Sequence, residues 1–430
     1  MLIQGNALEK LKEIENNSVD CIVTDPPYGY SFMGKDWDNF KAKKVTKSQV
    51  VTNLGVGMRK TTAKENLNYQ KWVSEWASEC LRVAKSGSFM FYFMTPRQDL
   101  LSRAIIGLEE AGWIVSSTSI YWTYATGFPK ANSISKAIKR RKSMKKSHRS
   151  KELQGSYGGF QPKPAVEVII VAMKPLDEKT YIDQAIVSGK GITWMDDCRI
   201  PYISDYDKKH QQDIAKGSGI LFGGKGISKS NGINDGGRFP ANLLVSDDVL
   251  NDGEIRNSIK SKYDDSHSGG IWKKSTGKPA GPTYSDCGSY SRYFDLDTWA
   301  NKMNFGNLPE QVQKTLPFLI VSKPTKSERE IGLDKLNMKE ENGRKNYHPT
   351  VKPIKILSYL ITLGSRENDI ILDPFMGSGS TGVAALLLKR KFTGIELSDD
   401  YMKIARGRIN NYNEHKKFVP RNIRAKNKFW

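Results

Sequence analysis

Long apolar runs are largely missing from this 430-residue sequence. A helix that crosses a bilayer needs about 20 consecutive apolar residues, and the best runs here, Phe89 to Met94 and Val166 to Met173, have only strand length. A soluble chain is therefore expected. Met1 to Asn6 shows no basic segment leading into an apolar stretch, so no secretion signal is expected and the cytoplasm is the expected compartment. Cysteine is scarce and scattered. Cys21, Cys80, Cys198 and Cys287 show no CxxC spacing, which argues against a disulfide framework and against a zinc cage. The histidines, His148, His210, His267, His348 and His415, lack ligand spacing too, so no metal is expected.

Acid is the other shortage, and it is local. Lys136 to Lys151 holds nine Lys/Arg and no acid, while Met402 to Trp430 holds nine against the single Glu414. These two runs carry +17 of the formal +21. Binding of a polyanion releases its counterions, so two such runs point to nucleic acid. Neither run has an apolar face long enough to insert into a membrane surface. With 38% hydrophobic and 10% aromatic residues the chain is too apolar for a disordered protein, and its length suits two or three domains, or one core with large insertions.

Strand-like and helix-like segments alternate at both ends. Leu8 to Ile14 has helical spacing, Val19 to Thr24 reads as a buried strand, and residues 29 to 68 read as a polar loop. Trp72, Trp76, Cys80 and Leu81 predict a helix that ends at Lys85-Ser86-Gly87. Ser88 to Met94 is the next strand, Arg97 to Ala111 a helix closed by Gly112, and Trp113 to Tyr124 a third strand. Val166 to Met173 is expected to pair with that third strand as an antiparallel edge. Toward the other end, Ile354 to Leu363 and Gly382 to Lys389 predict helices, and Asp369 to Asp373 and Phe392 to Glu396 predict strands. This alternation implies a parallel sheet covered on both faces. Between about Pro175 and Pro317 the periodicity fades, and Gly217 to Gly237 contains eight glycines. That stretch is expected to form a separate, irregular domain.

Two motifs carry chemistry. Asp25-Pro26-Pro27-Tyr28 stops the strand VDCIVT at its carboxyl end, where open α/β sheets bind ligands. An exocyclic amine on a nucleobase is a poor nucleophile, because its lone pair is delocalised into the ring. The Asp25 carboxylate and the Pro26 carbonyl could each accept one of its N–H bonds and so localise that pair. Tyr28 offers a face on which a flipped base can stack. The second motif is Asp373-Pro374-Phe375-Met376-Gly377-Ser378-Gly379-Ser380-Thr381-Gly382, after the strand IIL. GSGSTG matches GxGxxG, and Glu396 stands where it could bind ribose hydroxyls, so a nicotinamide enzyme is a rival reading. Asp-Pro-Phe between strand and glycines counts against it. Gly219 to Lys225 nearly spells a phosphate loop, but Gly226 replaces the required Ser or Thr.

With DPPY early, HPTVKP at His348 to Pro353 and DPFMGSGST near the end, the sequence resembles the β-group of S-adenosylmethionine-dependent DNA amino-methyltransferases. The resemblance covers about 1–175 and 345–410, and GFPKANSISKAI, VEVIIVAMKP, WMDDCRIP and GRFPANLL also look like phage and prophage members. It implies a doubly wound, Rossmann-like α/β methyltransferase core with circularly permuted motif order and a large irregular insertion. The catalytic half would be 1–175, with a basic insertion at about 125–163, the target-recognition domain 176–345, and the cofactor half 346–430. By the same resemblance Asp25, Pro26, Pro27 and Tyr28 would be catalytic. Asp373, Pro374, Phe375, Gly377, Ser378 and Gly379 would line S-adenosylmethionine, with Glu396 on its ribose and Thr350 and Lys352 near its methionine carboxylate. Asn6 replaces the acid that often contacts the adenine, and its amide oxygen can still accept a hydrogen bond. Lys35, Lys139, Arg140, Arg141 and Lys142 are the expected DNA contacts, with duplex DNA as partner and a homodimer open. The expected reaction is methylation of the adenine exocyclic amine by base flipping. Adenine is favoured because Asp rather than the Ser common in cytosine-amine members begins the motif; the cytosine amine is the alternative, and a catalytically silent DNA-binding protein and an NAD-dependent oxidoreductase rank lower. No Pro-Cys pair is present for cytosine ring-carbon methylation.

Overall fold

The computed structural model describes residues 1–29, 62–123, 132–140, 149–158, 165–202, 236–244, 256–257, 287–288, 324, 326–330, 332–334, 340–341 and 343–412. The first part of the chain supplies β1 (Leu2–Gln4), α1 (Ala7–Lys10) with a 3-10 turn at Leu11–Glu13, β2 (Val19–Thr24), α2 (Ala63–Val83), β3 (Ala84–Met94), α3 (Gln98–Glu110) and β4 (Ile120–Thr123). An excursion follows, with β5 (Asn132–Ser133), α4 (Ile134–Arg140), α5 (Arg149–Glu152) and β6 (Tyr157–Gly158), before β7 (Val166–Met173), α6 (Tyr181–Ser188) and β8 (Leu243–Leu244). The short β9 (Arg256–Asn257) and β10 (Cys287–Gly288) pair with each other. Last come α7 (Lys326–Glu330), α8 (Ile354–Gly364), β11 (Ile370–Asp373), α9 (Ser380–Leu387), β12 (Lys391–Glu396) and α10 (Asp399–Asn410).

Eight strands form one sheet in the order β1-β12-β11-β2-β3-β7-β4-β8. The pairs from β1 to β3 are parallel, β7 is antiparallel to both its neighbours, and β8 is parallel to β4. All six residues of β2 are buried, as a strand covered on both faces requires. Cys21 and Val23 join Phe91, Phe93, Ile169 and Ile371 under α8, α9 and α10, while Ile22 joins Met90, Tyr92, Ile170 and Leu372 under α2 and α3. That alternation is the strand period of two, and it gives the doubly wound layering. Each fully buried Leu, Ile, Val, Phe or Met side chain contributes about 1.5–3 kcal/mol.

The expected elements recur with four corrections. The expected loop over 29–68 overruns a helix, because Thr62 and Glu65 close a reciprocal capping box that starts α2 at Ala63. At the other end of α2 no loop intervenes: β3 begins at Ala84, and Gly87 is absorbed within it, donating to the Lys174 carbonyl at 3.1 Å. The expected pairing of Val166–Met173 with the third strand is present, but β7 lies inside the sheet with β3 on its other side and β8 beyond β4. The third strand itself shrinks to Ile120–Thr123, since the polar Ser116 to Ser119 interrupts it after a single bridge at Ile114.

Parts of the stretch expected as a target-recognition domain pack on the core. Lys190 makes ion pairs with Asp20 at 2.9 Å and Asp369 at 3.0 Å, at the amino end of β2 and β11. Cys198, Ile200 and Leu244 join the apolar cluster beneath α8, and Trp194 N–H bonds the Leu363 carbonyl at 2.9 Å. Among the described residues no helix is long and apolar enough to cross a membrane.

Candidate active site

β11 and β2 are neighbours in parallel register, with Leu372 opposite Ile22. Adjacent strands lie about 4.8 Å apart, so the turn after Thr24 and the turn after Asp373 emerge side by side. Thr24 Oγ1 donates to Asp373 Oδ1 at 2.8 Å, which ties the two turns together directly. They share one cavity of about 370 Å³. Its wall includes Asp25, Pro26, Pro27 and Tyr28 from the first turn, and Asp373, Pro374, Phe375, Gly377 and Ser378 from the second. Asn6, Thr350, Lys352 and Glu396 line it as well. Gly379 lies behind the wall, at the N-cap of α9 against Ala405 and Ile409.

The second turn is held from behind. Asp373 also accepts Phe375 N–H at 3.1 Å and Thr381 Oγ1–H at 2.7 Å, although burial still pushes its carboxyl up to about 7. Gly377 adopts φ +52°, and a Cβ built there would sit 2.7 Å from His348 Nε2. Glycine is the residue that fits both constraints. Glu396, from the end of β12, accepts Gly377 N–H at 2.9 Å and Ser398 N–H at 2.8 Å. Burial raises its carboxyl and those backbone donors oppose the rise. Arg408, fully buried, donates to the Ser378 carbonyl at 2.7 Å and to Ser380 Oγ at 2.9 Å. Phe375 packs on Trp72 and Trp76, with ring centroids 5.4 and 5.3 Å apart. The Asn6 amide oxygen accepts Leu8 N–H at 2.9 Å, as the N-cap of α1.

At the first turn two prolines end β2 because neither has an N–H to continue the ladder. Tyr28 then folds back, its hydroxyl donating to Asp25 Oδ1 at 2.7 Å. Lys352 Nζ donates to Asp25 Oδ2 and lies 3.5 Å from Glu167 Oε2. Burial raises the Asp25 carboxyl; the Lys352 ammonium pulls it back, while Glu167 pushes it further up. Burial would lower Lys352, but Asp25 and Glu167 outweigh it and leave the ammonium more basic than usual. His348 is pushed down to about 3 by burial, with Arg329, Lys352 and Arg408 adding to the effect, so its ring is neutral.

Glu167, Tyr401 and Arg408 were not singled out by sequence reasoning, and Trp72 was read only as a helix position. An acid alone in the apolar VEVIIVAM was the available signal for Glu167. Arg408 belongs by composition to the second basic run, yet it is interior. Lys139 lies exposed on α4 and Arg140 ends that helix. Lys35, Arg141 and Lys142 lie outside the described residues, as does most of the 29–68 segment. Among the described residues no cluster of three or more His, Cys, Asp or Glu could hold a metal ion.

Residues 19–407 match a protein family described as DNA methylase. Over 63 residues the chain is 56% identical to Type II methyltransferase M2.LlaDCHI of Lactococcus lactis subsp. cremoris, covering 15% of this chain and 23% of that protein. Over 67 residues it is 51% identical to M2.DpnII of Streptococcus pneumoniae, covering 16% and 25%. Over 83 residues it is 39% identical to M2.MboI of Moraxella bovis, covering 18% and 30%. These matches thus span less than a third of the relatives' own lengths. Among solved structures, PvuII DNA methyltransferase (cytosine-N4-specific) aligns with 97% of this chain and 91% of its own at 13% identity and TM-score 0.41. TTHA0409 of Thermus thermophilus, complexed with S-adenosyl-L-methionine, aligns with 97% and 96% at 12% identity and TM-score 0.38.

Proposed function

Since the chain belongs to the DNA methylase family, we propose that it transfers a methyl group from S-adenosylmethionine to the exocyclic amine of adenine in duplex DNA. The observation that carries this reading is the shared cavity, in which the Asp25-Pro26-Pro27-Tyr28 turn faces the glycine turn across the Thr24–Asp373 hydrogen bond.

The residues present suit the cofactor. Gly377 leaves a backbone wall without a side chain, and Phe375, Ile395 and Leu397 supply apolar surface for a flat ring. Asn6, Ser378, Ser398, Glu396 and Thr350 supply the polar lining that such a ligand needs. When bound, S-adenosylmethionine supplies a methyl group already activated by its sulfonium. The chain's own work is then to position and polarise the acceptor. Asp25 and the Pro26 carbonyl accept the two N–H bonds of the target amine, so its lone pair turns toward the donor. The Tyr28 ring stacks on the base, an interaction worth about 1–3 kcal/mol.

Duplex DNA as substrate is supported by the topology of the basic excursion. It leaves β4 at Thr123 and returns at Val166, and these two residues are register partners at the sheet edge that carries Asp25. Lys35, Lys139, Arg140, Arg141 and Lys142 would grip phosphates, with residues of 176–345 reading the target sequence. Adenine is preferred because Asp rather than Ser opens the first motif.

The test is nucleoside analysis of unmethylated genomic DNA after incubation with the chain and S-adenosylmethionine. N6-methyladenine is the expected product. N4-methylcytosine would replace the base assignment, and no methylated nucleoside would overturn the reading.

A further inference from the structure

One acid beside the Asp25 turn is given no part in binding the target amine. Glu167 lies near the amino end of β7, and because β7 runs antiparallel to β3 that end meets the edge where Asp25 emerges. Its Oε2 lies 3.2 Å from the Tyr28 hydroxyl oxygen and 3.5 Å from Lys352 Nζ. One ammonium therefore faces two carboxylates, whose side chains are only 17% and 14% exposed.

Both oxygens of Asp25 are engaged, Oδ1 by Tyr28 and Oδ2 by Lys352. An arriving amine donor competes with the ammonium for Oδ2. A buried ammonium that loses its only counter-ion is strongly disfavoured, so release of Asp25 requires another anion within a short swing. Around this point Asp373 is occupied by Thr24 and Thr381, and His348 is neutral. Among the described residues Glu167 is the other carboxylate within 4 Å of the ammonium. The rings of Phe93 and Tyr28, at 5.3 and 5.7 Å from Nζ, give the ammonium a favourable surface between the two carboxylates.

We propose that Glu167 is a positioning residue that takes over the Lys352 ammonium when the target amine engages Asp25. This rests on the methyl-transfer reading above. Glu167 touches neither donor nor acceptor; it frees Asp25 Oδ2 from the ammonium so that the amine can take its place.

The experiment compares wild type, Glu167→Gln and Glu167→Asp with methyl-labelled S-adenosylmethionine and unmethylated genomic duplex DNA. Glu167→Gln is expected to lower kcat by about 10- to 100-fold, as misplacement of a catalytic group does, with cofactor affinity by calorimetry unchanged. Because the charge of Glu167 raises the Asp25 carboxyl, the acid limb of kcat should move to lower pH in Glu167→Gln and stay in place in Glu167→Asp. A merely structural role would lower activity without moving that limb. If Glu167→Gln is too slow for a pH profile, Glu167→Asp decides: kcat at least about tenfold higher supports the transfer of the ammonium, and equal inactivity overturns it. A wild type that methylates, beside a Glu167→Gln with the same kcat and the same limb, overturns this inference alone. A wild type that transfers no methyl group overturns the parent reading instead.

Discussion

Replacing Asp25 with Asn separates chemistry from folding. The amide keeps the shape of the carboxylate, and its oxygen can still accept the Tyr28 hydroxyl now bonded at 2.7 Å. Its NH₂ group, however, would point a donor at the Lys352 ammonium. Removing one partner of a buried ion pair typically costs about 3–5 kcal/mol when the other charge is stranded. Lys352 is not stranded here, because Glu167 Oε2 lies 3.5 Å away. The stability loss should therefore stay near about 1–2 kcal/mol, closer to the loss of one charge-assisted hydrogen bond. Catalysis should suffer far more, since positive charge develops on the amine where Asp25 sits. Loss of one preorganised group at a developing charge costs about 10²- to 10³-fold in kcat. Urea unfolding of both proteins, with single-turnover transfer from labelled S-adenosylmethionine, measures the two effects separately. Cofactor affinity should be unchanged. An Asp25→Asn protein that transfers methyl groups within about threefold of wild type would refute the role assigned to this carboxylate.

Three other outcomes are expected. Gly377→Ala should weaken S-adenosylmethionine binding by about tenfold or more, measured by calorimetry, because alanine at φ +52° is strained by about 1–2 kcal/mol and its Cβ would meet His348 Nε2 at 2.7 Å; an unchanged affinity would remove this turn from the cofactor site. His348 bears on acid stability: its folded value of about 3 lies below the ordinary 6.5, so as pH falls below about 6.5 the unfolded chain takes up a proton that the folded chain refuses. Stability should fall between about pH 6.5 and 3 by less than the 1.4 kcal/mol per pH unit of one full proton, since the ring borders the cavity, and His348→Gln should flatten that slope in denaturant titrations. Replacing Arg140, Arg141 and Lys142 with Gln should flatten the log–log salt dependence of DNA binding by about 0.9 for each phosphate that is no longer neutralised; an unaltered slope would assign the run another role.

What the sequence allowed one to read follows from how local each signal is. Val19 to Thr24 and Ile370 to Asp373 are legible because each apolar run is cut by Asp-Pro, and proline stops a strand whatever surrounds it. The joint cavity follows from those two ends once the strands are known to be neighbours. The start of α2 was hidden because its first turn, Ala63-Lys64-Glu65-Asn66, is polar and its signal is a reciprocal cap rather than a periodicity. The placement of β7 between β3 and β4 was hidden for a different reason. An apolar strand of eight residues fits an interior or an edge position equally well, and only the register Phe93–Ile169–Ile120 distinguishes them. The same ambiguity concealed Glu167, because an acid in a strand is a candidate for chemistry only when its end of the strand is known to meet the site. It also altered the surroundings of Lys352. Read from its motif alone, that ammonium awaits a cofactor carboxylate; with β7 inside the sheet, it stands between two carboxylates of the protein itself. The interior position of one antiparallel strand is thus what turns a single acid at the tip of β2 into a coupled group of two acids, one base and one phenol.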